Sequence, residues 1–284
     1  MAKAKTVFLY QQEMNLIHAQ SIKSLQEIGI KVLSKPILEL LEKNGASVDY
    51  NAMVAKIPEM IVDQALEANL TNEGGFGGTN RFLQNIAGLW LVQQSVKTWS
   101  EEGRTYNYDQ TVAMAESATP FQAFIDPDLP QFLPAGDMPS RIKDFCKNSG
   151  QEVPQTPEEL LRVIYESLAM KYRYFLNLLV KVSGKEVKKL HVLGGGSRNR
   201  LLNQFCANAM QIPVVAGPTE ATSIGNAMVQ LIALGEIGNL QEAREIIVGS
   251  SALDYFEPQQ GELWNEQFER YQKEIIGKNE SFKA

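Results

Sequence analysis

The sequence predicts an α/β layered fold, and three observations carry that prediction. Short apolar runs at 188–193 and 212–216 alternate with helical patterns at 199–210 and 219–235. Each run ends in a glycine-bearing turn, Gly194-Gly195-Gly196 after the first and Gly217-Pro218 after the second. Ahead of both stands Thr156-Pro157-Glu158-Glu159, a capping box with proline at the first helical position, which launches a long helix to about residue 182. Strand–helix–strand–helix order of this kind builds a sheet layered with helices.

From the N-terminus, residues 1–66 read as a small, mostly helical segment. Leu16, Ile17, Ile22, Leu25 and Ile28 recur at helical spacing, and Gly29 stops that helix. Pro36 opens a second helix that ends at Asn44-Gly45, "MVAKI" at 53–57 reads as a strand, and Pro58 opens a third helix. Residues 69–150 are richer in loops. "TNEGGFGGTN" at 71–80 holds four glycines, and 81–103 reads as one amphipathic or buried helix. The span 125–140 reads as irregular, its Asp and Pro residues making turns or, alternatively, binding a cation. Trp90, Trp99, Tyr172 and Tyr174 lie at helical spacings and read as core, and His18 as a structural residue on a helix face.

Bulk composition narrows the chemistry. A net charge of −6 without a Lys/Arg cluster argues against a phosphate-backbone surface. The two cysteines, Cys146 and Cys206, lack CxxC spacing, and the two histidines, His18 and His191, sit far apart. A disulfide framework, a zinc site and a His-based triad therefore have little raw material, and no metal site is expected. The leading apolar run is too short for a signal peptide, and no segment approaches the ~20 apolar residues of a membrane span, so the cytoplasm is the expected location.

The glycine turn at 194–196 admits two readings. A strand-to-helix turn gathers backbone N–H groups and the positive end of a helix dipole, and glycine lets a phosphate-bearing ligand approach. Alternatively it is a turn needing positive φ, with Ser197 or Asn199 capping the next helix. No Gly-Lys-Ser/Thr follows, and the spacing is not that of a dinucleotide fingerprint. Two open turns at the same strand end would make a cleft. Arg198 and Arg200, the nearest basic residues, suit nucleoside contact better than tight triphosphate capture.

"HVLGGGSRNRLLNQFCANAMQIPVVAGPTEATSIGNAMVQLIALGEI" resembles the C-terminal ATP-binding domain of the FGGY carbohydrate kinases, and among them those that act on L-rhamnulose. "ANLTNEGGFGGTNRFLQNIAGLWLVQQ", "FIDPDLPQFLPAGDMPSRI" and "ESLAMKYRY" extend the likeness over roughly 66–260. The resemblance implies the actin-like, ribonuclease-H-type ATPase fold, ATP or ADP with Mg²⁺, and transfer of the γ-phosphate to L-rhamnulose. It implies that Gly194, Gly195, Gly196 and Ser197 lie beside the phosphates and ribose and that Asn199 faces the adenosine. Gly217, Glu220 and Thr222 would line or brace the same cleft, and Thr71-Asn72-Glu73-Gly74-Gly75 would sit near the domain hinge.

In that family a sugar-binding domain and the catalytic aspartate precede this block, and nothing before residue 66 resembles them. Residues 10–66 instead resemble the N-terminal segment of the trimethylamine methyltransferase family. A hybrid is therefore expected: 1–66 methyltransferase-like and helical, 67–284 a kinase nucleotide-binding domain, binding nucleotide with little or no turnover. Glu73, Asp109, Asp126, Asp128 and Asp137 are candidates for a substitute base, with solvated or turn-forming roles as the ordinary alternative. A non-catalytic binding or oligomerisation module with a vestigial cleft is the other reading, favoured if the apolar stripe of helix 14–30 stays exposed. Self-association through surface left bare is expected in either case.

Overall fold

The computed structural model describes residues 11–68, 71–74 and 79–277. The chain divides into two compact units, Met1–Gln84 and Asn85–Ala284. The expected boundary at residue 66 falls inside the first of them.

The first unit carries α1 (Gln11–Glu27), α2 (Lys35–Lys43) and α3 (Glu59–Ala68). It also holds β1 (Ile30–Lys31), β2 (Ser47–Asp49) and β3 (Val54–Lys56), an antiparallel sheet in the order β1-β3-β2. Of these strands only β3 is legible in the sequence, because two- and three-residue strands are too short to show a period. Ile22, Leu38, Ala46 and Ala55 form the buried centre. Gly29 ends the first helical segment for a stated reason: its φ is +83°, and a Cβ there would lie 2.6 Å from the Ala55 carbonyl oxygen.

A hairpin of β4 (Thr71–Gly74) and β5 (Asn80–Leu83) closes this unit, pairing Thr71 with Leu83 and Glu73 with Arg81. The single helix expected over 81–103 is thereby corrected. Its first residues are a strand, and α4 runs only from Trp90 to Glu101. Backbone pairing with β4 decides the matter for residues whose own pattern suits a helix. Gly75 and the remaining glycines of the 71–80 segment beyond Gly74 lie outside the described residues.

In the second unit α4 is followed by α5 (Tyr108–Ser117), α6 (Met138–Asn148) and α7 (Pro157–Ser183). The Thr156 capping box forms as expected, with the Glu159 N–H donating to Thr156 Oγ1 at 3.3 Å and the Thr156 N–H to Glu159 Oε2 at 3.2 Å. Gly184, left-handed at φ 64°, ends α7. The middle of α7 is buried on every side, from Leu160 to Lys171, because α5 and α8 (Arg200–Met210) pack along it. Each buried Leu or Ile here contributes about 1.5–3 kcal/mol.

A three-stranded sheet completes the unit: β6 (Leu190–Val192), β7 (Val214–Ala216) and β8 (Asp254–Phe256). β6 and β7 are parallel, with α8 as their crossover, and β8 joins β7 antiparallel. The helices α9 (Ala221–Ala233), α10 (Leu240–Ser250) and α11 (Gly261–Tyr271) follow the pattern of the chain, α11 sending Trp264, Phe268 and Tyr271 into the core. Trp99 is core at 3% exposure, whereas Trp90, expected there, is 38% exposed at the first position of α4.

The span 125–140 is not wholly irregular. A short 3₁₀ turn covers Pro130–Phe132, and α6 begins at Met138 with Asp137 as its cap. Nor are its acids left for a cation. Lys171 Nζ lies 2.7 Å from Asp126 Oδ1 and 3.4 Å from Asp128 Oδ2, and Asp137 Oδ1 accepts the Ser140 N–H. Among the described residues no group of three or more His, Cys, Asp or Glu side chains is arranged to hold a metal.

Candidate functional site

Both predicted turns lie at the same end of the β6–β7 pair, and backbone bonds stitch them together. The Gly217 N–H donates to the Val192 carbonyl at 2.8 Å, and the Gly194 N–H to the Pro218 carbonyl at 3.2 Å. Ser197 Oγ lies 3.4 Å from Thr219 Oγ1. The two turns at this strand end are thus a single, cross-braced feature.

The glycines differ in why they are glycine. Gly194 has φ +73°, and Gly217 has φ +114° with space for a Cβ only 2.9 Å from the Ala252 carbonyl oxygen. Backbone geometry demands both. Gly195 has no positive φ, and a Cβ on it would meet nothing within 4 Å. Gly196 would make only an ordinary 3.7 Å contact with Val192. The fold does not require these two to be bare, and Gly195 is exposed.

Residues 194–198 form a 3₁₀ turn that runs into α8. Asn199 caps that helix: its Oδ1 accepts the Leu202 N–H at 2.9 Å, and the residue is fully buried. Ser197 is 5% exposed and donates to the Gly194 carbonyl at 2.7 Å. Behind them the Asn203 amide donates to the Ser197 carbonyl at 3.0 Å. Of the expected contact residues, Gly195 therefore faces outward and Gly196 is half-buried, while Ser197 and Asn199 brace the turn from within. Glu220 and Thr222, at the start of α9, are exposed.

Arg198, the last residue of the turn, also forms one wall of an open cavity of about 260 Å³, together with Arg200, Tyr108, Asp109 and Glu116. Arg200 is partly committed, pairing with Asp254 at 2.9 Å and lying over the Phe256 ring. Burial, reinforced by Tyr165, pushes the Tyr108 hydroxyl up to about 12, so it remains a proton donor at neutral pH. Sequence reading did not find this wall. The Asn107–Gln110 capping box that starts α5 is legible, but nothing in it announces that Tyr108 will meet Arg198.

The candidate bases fall into different environments. Glu73 is paired with Arg81 at 2.9 Å, Asp126 and Asp128 are engaged by Lys171, and Asp137 is a helix cap. Asp109 alone among them lines the cavity beside the glycine turn.

Residues 52–234 match the FGGY family of carbohydrate kinases, C-terminal domain. The chain belongs to that family. Its C-terminal domain is of the rhamnulokinase type: it is 39% identical over 240 residues to the rhamnulokinase of Bacteroides thetaiotaomicron, covering 84% of this chain and 49% of that protein. It is 42% identical over 196 residues to the rhamnulokinase of Enterobacter sp. strain 638, covering 69% of this chain and 39% of that protein. The chain thus spans half or less of the length of these relatives. A ligand-bound xylulose kinase from Lactobacillus acidophilus superposes with a TM-score of 0.52 at 15% identity, over 73% of this chain and 41% of that one. The FGGY kinase fold, the actin-like ATPase fold, is thereby the fold of this chain. Among the described residues no helix is long and apolar enough to cross a membrane.

Proposed function

We propose that the second unit is a nucleotide-binding lobe that holds ATP or ADP with Mg²⁺ at the glycine turn. The observation that carries this reading is Gly195, exposed and bare where the backbone does not require glycine. The phosphates would lie against Gly195 and Gly196, where turn N–H groups and the N-terminal end of α8 favour negative charge. The base would enter the cavity between Tyr108 and Arg198, with Tyr108 as a hydrogen-bond donor. Gly194 and Gly217 shape the turns, Ser197 and Asn199 support them, and Glu220 and Thr222 line the rim.

Mg²⁺ binds largely through nucleotide phosphates and water, so the nucleotide would carry it into the site. When bound, it neutralises charge on the phosphates during transfer. The protein's own part is to orient the nucleotide and keep the base from exchanging.

By kinship with the rhamnulokinases, the reaction served is phosphorylation of L-rhamnulose at its 1-hydroxyl. Phosphoryl transfer needs two lobes that close on both substrates. The chain covers 49% or less of those relatives' length, so nucleotide binding with little or no sugar turnover is expected from it alone. Residues 1–66 we read as a separate element, methyltransferase-like by the resemblance of residues 10–66 alone; their own sheet and buried centre support only the separateness, and the kinase family match already begins at residue 52.

Calorimetric titration of Mg-ADP into the wild-type chain and into Gly195→Val tests the first part. Saturable binding lost in the variant is expected; no binding to the folded wild-type chain overturns it. A steady-state rate on L-rhamnulose comparable with an intact sugar kinase overturns the second.

One observation favours the binding-module reading as well. Leu16, Ile17 and Ile28 on the first helical segment are 62%, 54% and 73% exposed. A mass that rises with concentration, and falls back in Leu16→Lys, supports association through that stripe; a plain monomer removes it.

A further inference from the structure

A buried ion pair on α7 does not line the cavity beside the glycine turn, yet it reaches the helices that carry both of its walls. Arg162 Nε donates to Glu166 Oε1, and the two residues are 8% and 0% exposed. Arg162 Nη1 also donates to the Ala115 carbonyl at 3.3 Å and to the Glu116 carbonyl at 3.4 Å, in the last turn of α5. The last carbonyls of a helix have no partner within it, and a cation suits them. Glu116 is itself part of the cavity wall, with Tyr108 and Asp109. The same guanidinium lies 4.7 Å from the centre of the Phe205 ring on α8, the helix that begins at Arg200. One side chain therefore joins the helix of Tyr108, Asp109 and Glu116 to the helix that follows Arg198.

Glu166 extends the grip past the end of α5. Its Oε2 accepts the Phe121 N–H at 2.8 Å. Phe121 stands at φ 57°, a left-handed conformation that bulky side chains rarely adopt. Arg270 on α11 takes the other side of that residue, donating to the Phe121 carbonyl at 2.8 Å and to the Gln122 carbonyl at 3.3 Å. The end of α5 and the turn after it are thus held through their backbone by Arg162, Glu166 and Arg270. For stability alone a buried ion pair is a poor device, because apolar side chains of like volume often do as well. Apolar side chains cannot fix the direction of backbone carbonyls and a backbone N–H.

We propose that Arg162 and Glu166 are positioning residues of the nucleotide site: the pair fixes the end of α5 against α8 and so sets the spacing of the cavity walls that receive the base. This rests on the nucleotide reading above. A base that enters then meets Tyr108 and Glu116 already in place, and little binding free energy is spent on ordering α5.

Two conservative variants of the full chain and one control separate this from a merely structural role. Glu166→Gln leaves one oxygen to serve both Arg162 and the Phe121 N–H. Arg162→Lys keeps the charge but gives up the planar fork that reaches Glu166 and the α5 carbonyls together. Each is expected to weaken Mg-ADP binding roughly three- to tenfold at a temperature where the chain is fully folded, the scale of one hydrogen bond. Ile142→Val, a change to a buried residue on α6, lowers stability from elsewhere in the core and is expected to leave the affinity unchanged. Amide hydrogen exchange without nucleotide gives a second readout, expected to quicken over 112–122 in Arg162→Lys and to stay unchanged over α6. Wild-type affinity in both variants, or a loss in Ile142→Val as large as theirs, overturns the proposal. If the wild-type chain binds no nucleotide, the functional reading fails on its own, and unchanged exchange over 112–122 overturns the positioning role separately.

Discussion

The Gly194 N–H donates to the Pro218 carbonyl at 3.2 Å, joining two turns that the sequence separates by more than a full helix. Together with the Gly217 bond to Val192, it makes the ends of β6 and β7 one rigid edge.

Adjacent glycines should respond in opposite ways. Gly194→Ala forces a side chain into positive φ and should destabilise the chain by about 1 kcal/mol or more. Gly195→Ala has room and no positive φ, and should leave stability unchanged or raise it by about 0.4–1 kcal/mol. Urea unfolding of the pair reads the difference. Equal losses would mean that both glycines serve only the turn.

Lys171→Met should be among the most damaging single changes. The ammonium lies among Asp126, Asp128 and the Phe175 ring, 5% exposed. Removing it leaves the buried Asp126 and the partly exposed Asp128 without that cation, a loss of about 3–5 kcal/mol. A midpoint shift in urea corresponding to less than about 1 kcal/mol would show that water reaches the pair.

Glu166 makes stability depend on pH. Burial raises its carboxyl from 4.5 to about 7, although Arg162 and the Phe121 N–H oppose the rise. Between those values the folded chain binds more protons than the unfolded one, so stability falls as pH rises from 4.5 through 7. The change is on the order of 2–3 kcal/mol. Glu166→Gln should flatten that slope, and denaturant midpoints from pH 5 to 8 measure it. A slope identical to wild type would assign it to other groups.

Neither thiol should react while the chain is folded. Burial pushes Cys146 and Cys206 up to about 12, far from thiolate at neutral pH. A disulfide reagent at pH 8 should label both only as fast as the second unit opens. Rapid labelling of either would show that its helix frays locally.

How much was legible depended on range. The Thr156 capping box, the Gly29 helix stop and the strand–turn–helix pair around 190–220 all follow from neighbours within a turn or two, and each forms. The 81–103 segment misled because β4 lies outside any helical window, and strand pairing outweighed local propensity. Asp126 and Asp128 read as turn acids or cation ligands because their partner, Lys171, is far along the chain on α7.

By itself the sequence determined the α/β order and the two turns, since periodicity, caps and glycine clusters are short-range signals; the family followed from resemblance to the FGGY carbohydrate kinases. Only the tertiary structure decided which glycines are bare for the backbone and which for space beside them. It also decided that Asn199 is a buried cap and that Tyr108 walls a cavity with Arg198. Those outcomes depend on α7 packing against α5 and α8, and packing between distant segments leaves no mark on local residue patterns.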